Sequence, residues 1–140
     1  MVPREPQYPF EPKSNKLLRA GQFWAIPLAD GRFAAGRVMA VPAFGEKDTR
    51  GFVAGLLDWI DTAPPDAEAI AGRSVVAQGK TRVEAVSKTG GLILGLRPLE
   101  LDALVAIDPN DMSVGSVHPV WGWRTILNRA ESARRDVALW

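Results

Sequence analysis

The stretch from 21 to 41 constrains the fold of this chain more than any other segment. Its first run, Phe23–Leu28, is apolar, with large side chains at every second position, a period of two that predicts a β-strand. Asp30 and Gly31 follow, and both residue types tolerate the positive φ angles of a tight turn. A second apolar run extends to Val41, so the segment predicts a β-hairpin.

The turn also predicts a register for this hairpin. If Asp30 and Gly31 form a two-residue loop, Trp24 lies opposite Arg37 and apolar residues pair on both faces. Trp24 and Arg37 would then be placed for a cation–π contact, although a ring that fills the core is the favoured interpretation of Trp24. Apolar pairs on both faces indicate a hairpin that other elements cover.

The rest of the chain predicts further strands and two helices. Segment 51–60 fits a strand or a helix, and its short length favours the strand. Segments 75–86 and 91–97 predict a second hairpin around a turn at 87–91, and 101–107 a further short strand. A short helix is predicted near 66–71, where Pro and Asp are typical of the start and Gly72 of the end. The long apolar stripe after Trp121 predicts a C-terminal helix.

These elements define the expected fold class and organisation. We predict an α+β fold, with a small strongly curved antiparallel sheet or partial barrel, a short helix and a C-terminal helix. Residues 1–16 carry four prolines and predict an extended N-terminal arm pinned by Tyr8 and Phe10. Residues 17–140 then form one α+β domain, a size typical of a single domain.

Composition excludes several classes of function. The 17 basic and 16 acidic side chains nearly balance, which argues against a strong nucleic-acid binder but leaves room for a local basic patch. Cysteine is absent, which excludes disulfides, zinc–thiolate sites and cysteine nucleophiles. No apolar run is long enough for a membrane span, and Met1–Pro6 has no apolar signal-peptide core, so a cytoplasmic location is expected.

No catalytic or metal-binding pattern emerges from the chain. His118 is the one histidine and precedes a proline, which favours a structural role. Gly79-Lys80-Thr81 has part of a phosphate-binding loop, but Ser74 stands where the earlier glycine is required. We therefore expect a protein that is not an enzyme and needs no cofactor or metal.

The run Gly21–Val38 resembles the opening of the immunity protein 26 family of bacterial polymorphic toxin systems. The shared pattern is a glycine, an aromatic–aliphatic strand, Pro-Leu, an Asp-Gly turn, an aromatic residue and Gly-Arg-Val. The resemblance implies a protein that neutralises a toxin, with a small β-rich α+β fold and neither catalysis nor a cofactor. Arg37, in the Gly36-Arg37 pair, is the residue that this resemblance transfers.

A binding protein of this kind needs a surface rather than an active site. Interfaces often centre on aromatic or arginine residues, and acidic residues steer basic partners such as nucleases. Acidic residues surround Trp59 in the sequence, and whether this ring is exposed stays open. The predicted surface for a protein toxin comprises Arg37, Asp58, Trp59, Asp61, Asp66 and Glu68.

Two other classes of function remain as alternatives. A small-barrel nucleic-acid-binding module is indicated by aromatic and basic residues that could hold a single strand. Those residues are Trp121, Trp123, Arg124, Arg129, Arg134, Arg135, Lys80, Arg82 and Lys88. A hydrolase could use the carboxylate pairs Asp58 with Asp61 or Glu100 with Asp102, although solvated surface is the favoured interpretation of both pairs. The sequence gives no oligomeric state.

Overall fold

The structure is a computed structural model that describes residues 6–41, 50–107 and 120–137. Its regular elements are five strands, two α-helices and one 3₁₀ helix. They are β1 (Gln22–Pro27), β2 (Phe33–Ala40), β3 (Gly51–Asp61), β4 (Val75–Arg82), α1 (Glu84–Ser87), β5 (Ile93–Leu96), the 3₁₀ helix (Leu99–Asp102) and α2 (Thr125–Val137).

The strands form one antiparallel sheet in the order β4-β3-β2-β1-β5. The α+β class is therefore confirmed. Strands β4 and β5 lie at the two edges and do not pair with each other, so the sheet is open across the described ranges. Neither α-helix in those ranges is both long and apolar enough to cross a membrane.

The β1–β2 hairpin is confirmed, but its predicted register is wrong by one residue. The loop has three residues, because Leu28 N–H donates to the Arg32 carbonyl at 2.8 Å and Gly31 N–H donates to the Leu28 carbonyl at 3.1 Å. Gly31 takes a φ of 88°, the left-handed residue that such a loop requires. Trp24 consequently pairs with Gly36, and Arg37 lies on the opposite face of the sheet.

The ambiguous segment at 51–60 is a strand, as favoured from its length. It forms most of β3 and pairs with β2 on one side and β4 on the other. Its register to β2 shifts between Ala34 and Gly36, which leaves additional β3 residues opposite Ala35. Such an irregularity bends a strand and re-aims its side chains, here near Asp58.

The predicted second hairpin is wrong. Its two segments form β4 and β5, which lie at opposite edges of the sheet. After β4 the chain leaves the sheet and forms the short helix α1. Ala85 and Val86 of α1 are buried, as is Val83 just before it. The alternating pattern of 82–87 thus predicted a strand, but the chain forms the helical turn of α1 there, which packs against the core.

Two local predictions beyond the strands are also wrong. Residues 67–72 form turns and not a helix, although Asp66 Oδ1 accepts the Ala69 N–H at 2.7 Å in the manner of a helix cap. A segment this short lacks enough internal hydrogen bonds to propagate a helix. Residues 101–107 are not a strand, because 101 and 102 end the 3₁₀ helix and 103–107 continue as irregular chain.

The two faces of the sheet have different covers. One face, which we call the helical face, carries Trp24 and packs against α1 and α2, with Ile126 and Ala130 of the confirmed C-terminal helix buried. The other face, which we call the loop face, carries Phe23 and Arg37. The irregular segments 62–73 and 97–107 contribute its covering residues, among them Ile70 and Leu99.

Residues of the predicted N-terminal arm contact the sheet beyond β5. Phe10 exchanges two backbone hydrogen bonds with Ile93, of 3.1 and 2.8 Å, and its ring packs against the core of the helical face. Tyr8 lies 5.8 Å from Phe10, centroid to centroid, and its hydroxyl accepts a hydrogen bond from Gln22. The two aromatic residues therefore make the contacts expected of them.

Candidate functional site

Arg37, the residue transferred by the resemblance, is completely buried. Strand β2 presents it on the loop face, where its side chain has 0% of its surface exposed. A charged side chain leaves water only where the protein supplies compensating groups. The residues around Arg37 supply such groups in part.

The compensating groups come from the segment after β5. Asp102, at the end of the 3₁₀ helix, places Oδ2 at 3.6 Å from Arg37 Nη1. Arg97 donates to both oxygens of Asp102, from Nε and Nη2, at 2.9 Å each. Arg37 Nη2 in turn donates to the Arg97 carbonyl. These three residues, Arg37, Arg97 and Asp102, form what we call the ion cluster.

The ion cluster also holds the turn after β3. Gly72 N–H donates to Asp102 Oδ1 at 2.8 Å, so one carboxylate joins β2, the 3₁₀ helix and the 66–72 turn. Arg37 Nε and Nη1 have no hydrogen-bond partner among the described residues. The cluster holds two cations and one anion, so its positive charge is only partly neutralised.

The geometry shifts the titration of all three groups. The pKa of Asp102 is lowered from 3.8 to about 2, chiefly by the hydrogen bonds from Arg97, although burial acts in the opposite direction. The Gly72 N–H and the charges of Arg97 and Arg37 also contribute to this lowering. Burial lowers the pKa of Arg37, and the hydrogen bond to Asp102 raises that of Arg97.

Trp59 lies inside the molecule. It is 6% exposed and belongs to a cluster on the loop face that includes Phe23, Leu57 and Ile70. A partner could touch little of this ring without unfolding the loop above it. The structure therefore places Trp59 beneath the predicted surface as a support rather than at its centre.

The four predicted acidic residues are all exposed and belong to one closed loop. Asp58 N–H donates to the Ser74 carbonyl at 2.8 Å, which joins the end of β3 and the irregular segment 62–73 into what we call the acidic loop, residues 58–74. Its exposed carboxylates are Asp58, Asp61, Asp66 and Glu68. Arg73 is the one basic residue among positions 58–74, which leaves the loop a net charge of −3.

Internal contacts fix the path of the acidic loop. Ile70, with 0% exposure, packs into the cluster of Trp59, and Pro65 is also buried. Asp66 caps the turn at Ala69, and Asp61 Oδ1 accepts the Thr62 N–H at 2.6 Å. The loop thus presents its carboxylates from an anchored backbone, a property that lowers the entropy lost on binding.

Sequence reasoning missed the ion cluster. The favoured interpretation of Glu100 and Asp102 as solvated surface is wrong for Asp102, because the 3₁₀ helix exposes Glu100 but buries the side chain of Asp102. One signal was present, because an arginine between Gly36 and Val38 in an apolar strand requires a buried anion. Which anion meets it depends on tertiary contacts.

No group of three or more His, Asp or Glu residues that could hold a metal ion occurs within 6–41, 50–107 and 120–137. His118 lies outside the described residues. Comparison of the chain with protein-family models, with curated proteins and with solved structures found no match.

Proposed function

We propose that this chain is a non-catalytic binding protein that neutralises a bacterial protein toxin by direct contact through its acidic loop. The observation that carries the proposal is the exposure of Asp58, Asp61, Asp66 and Glu68 on one loop that buried residues anchor. The resemblance of the β1–β2 hairpin to the immunity protein 26 family supports the choice of a toxin as the partner.

The charge of the acidic loop specifies the chemistry of that partner. Its net charge of −3 complements a basic surface, such as the nucleic-acid-binding face of a nuclease toxin. Complementary charges accelerate encounter and discriminate against wrong partners. An interface of ordinary size buries about 800 Å² on each side, so residues flanking the loop also contribute.

Arg37 and Trp59 have a supporting part in this proposal. Trp59 lies under the loop, and Arg37 holds Asp102, which in turn holds Gly72 at the end of the 66–72 turn. Substitution of either residue is expected to displace the loop and so weaken binding. This loss of binding should always be accompanied by a loss of stability. A contact residue would weaken binding with stability intact.

The proposal carries further expectations. The protein acts without a cofactor or metal, and in the cytoplasm, where a nuclease toxin finds its substrate. A strongly curved sheet or partial barrel also stays a prediction, since the described strands establish an open five-stranded sheet.

The test is a pull-down from the native host with a matched pair of variants. One variant combines Asp58→Asn, Asp61→Asn and Glu68→Gln, which removes three exposed charges and preserves the cap at Asp66. The control is Glu11→Gln, an exposed carboxylate outside the loop. Captured proteins are identified by mass spectrometry, and the partner gene is then expressed with and without each variant.

We expect the wild type and Glu11→Gln to capture one toxin-domain protein and to restore growth to cells that express it. The triple variant should associate at least about tenfold more slowly at low salt, because electrostatic steering is lost. Capture that is equal for the triple variant and the control would reject the acidic loop as the contact surface. Capture of a partner whose expression is harmless would reject the neutralising function.

A further inference from the structure

A second charged surface lies at the helical face, where Lys88 after α1 stacks on Trp123 before α2. Lys88 follows α1, and Trp121, Trp123 and Arg124 precede α2, whose first turns carry Arg129. We call these five residues the basic–aromatic surface.

The first aromatic of this surface is sandwiched between the sheet and a cation. Trp121 lies over Gly79 of β4, where a Cβ would overlap the indole ring, and the backbone N–H of Trp121 donates to the Lys80 carbonyl at 2.7 Å. The Arg129 Cζ atom lies 5.3 Å from the Trp121 ring centroid. Arg129 itself is exposed, so a guanidinium supported by a fixed ring faces solvent.

The second aromatic is more accessible. Trp123 is half-buried, and the Lys88 ammonium lies 5.3 Å from its ring centroid. Lys88 and the adjacent Arg124 are both exposed. The surface therefore presents two cation–aromatic stacks, each with its tryptophan just before α2.

Among the residues that the structure describes, the cations of this surface have no acidic partner. No carboxylate within the described ranges forms an ion pair with Lys88, Arg124 or Arg129, whereas Arg50 and Arg82 share Glu84 nearby in the fold. Three exposed cations around two neighbouring tryptophans attract a polyanion. The near-neutral net charge of the chain conceals this local excess.

We propose that the basic–aromatic surface binds single-stranded nucleic acid. Lys88, Arg124 and Arg129 would contact phosphates, while Trp123 and the supported guanidinium of Arg129 offer flat surfaces for bases. An acidic peptide shares the negative charge of a nucleic acid but has no base to stack. The combination of aromatic and cationic groups therefore favours the nucleic acid. This inference goes beyond the toxin-neutralising proposal and uses none of its contact residues.

The experiment measures fluorescence anisotropy of a labelled oligothymidine of about ten nucleotides, a length within the footprint of small single-strand-binding domains. Titrations run with the full chain at several salt concentrations. The variants are Lys88→Glu, Arg129→Glu and Trp123→Ala. Lys88→Gln is added in case a charge reversal unfolds the domain. Lys16→Glu is the matched control, because it makes the same charge change at an exposed site elsewhere. Circular dichroism establishes that each variant is folded.

We expect saturable binding whose logarithmic affinity falls with logarithmic salt concentration with a slope of about −2, the value for three phosphate contacts to a single strand. Trp123→Ala should weaken binding about tenfold through lost stacking. Lys88→Glu and Arg129→Glu should weaken it by at least as much, Lys88→Gln by less, and Lys16→Glu should leave it nearly unchanged.

Three outcomes would overturn the inference. They are an absence of binding at low salt, an equal loss for Lys16→Glu and Lys88→Glu, and displacement of the oligonucleotide by polyglutamate at equal charge concentration. The acidic-loop triple variant separates the two proposals. If it retains oligonucleotide binding and loses the toxin, the two surfaces act independently.

Discussion

The helical face and the loop face of the sheet both bury apolar clusters, but only the loop face also buries charged groups among the described residues. On the helical face, the rings of Trp24 and Trp121 lie over Gly36 and Gly79, where a Cβ would overlap each ring. On the loop face, Arg37 enters the interior and meets Asp102. The helical face is sealed by apolar rings against bare backbone, whereas the loop face adds ionic contacts to its apolar clusters.

The difference follows from what covers each face. Helices satisfy most of their own backbone hydrogen bonds, so α1 and α2 can cover a sheet with apolar side chains alone. Irregular segments bring backbone groups that need partners when they are buried. On the loop face the ion cluster provides such partners, since Arg37 donates to the Arg97 carbonyl and Asp102 accepts from Gly72 N–H. Charged side chains are thus used where the cover has little regular structure.

The largest expected effect breaks the loop face. Asp102→Ala leaves the Arg37 guanidinium buried without its anion and releases Gly72 N–H, so we expect a loss of about 4 kcal/mol in unfolding free energy. Urea denaturation followed by circular dichroism measures it. The double variant Arg37→Met with Asp102→Leu should recover most of this loss, because an apolar pair leaves no buried charge. A double variant as unstable as Asp102→Ala would contradict the assignment of the loss to an unpaired charge.

The next effect breaks the helical face. Gly36→Ala places a methyl group against the Trp24 ring, and we expect a loss of up to about 3 kcal/mol from overpacking. Gly122→Ala is the matched control, because a Cβ there meets no atom within 4 Å. Thermal unfolding of both variants checks the comparison. Equal midpoints for the two variants would show that the Trp24 ring moves aside at little cost.

The smallest expected effect is a loss of stability at acidic pH, which arises from Asp102 on the loop face. The pKa of Asp102 is about 2 in the folded chain, below its ordinary 3.8, so the folded state binds this proton more weakly than the unfolded state. The corresponding stability of about 2 kcal/mol is complete above the ordinary pKa and is lost as pH falls from about 4 to about 2.

Urea denaturation at a series of acidic pH values measures this loss. Asp102→Asn should remove this part of the acid dependence, and Glu100→Gln, an exposed carboxylate in the same 3₁₀ helix, should retain it. An identical acid dependence in wild type and Asp102→Asn would show that the ion cluster does not contribute.

Local sequence patterns correctly predicted the elements whose structure depends on residues close together in the chain. Alternation in 23–28 and the following Asp-Gly turn predicted the β1–β2 hairpin, and the apolar stripe after Trp121 predicted α2. The register failed because Ala29 joins the loop, and one residue in a loop moves every later side chain to the opposite face. For that reason Arg37 lies away from Trp24.

Within the candidate site, the sequence predicted the exposure of the acidic residues correctly, but not that of Arg37 and Trp59. Asp58, Asp61, Asp66 and Glu68 are exposed, as expected for charged residues in a segment rich in proline and turns. Trp59 and Arg37 were included in the same surface but are buried. Their burial depends on segments 62–73 and 97–107, which return to the sheet through long-range contacts.

The sequence by itself determined the α+β class, the first hairpin, the C-terminal helix and the charge of the acidic loop. Each of these follows from residues close together in the chain, through side-chain period, turn chemistry or composition. Tertiary structure alone decided that β4 and β5 occupy opposite edges, that Asp102 meets Arg37 and that Lys88 stacks on Trp123. These contacts join residues far apart in the sequence, and which distant groups meet is set by the packing of the whole domain rather than by local preference.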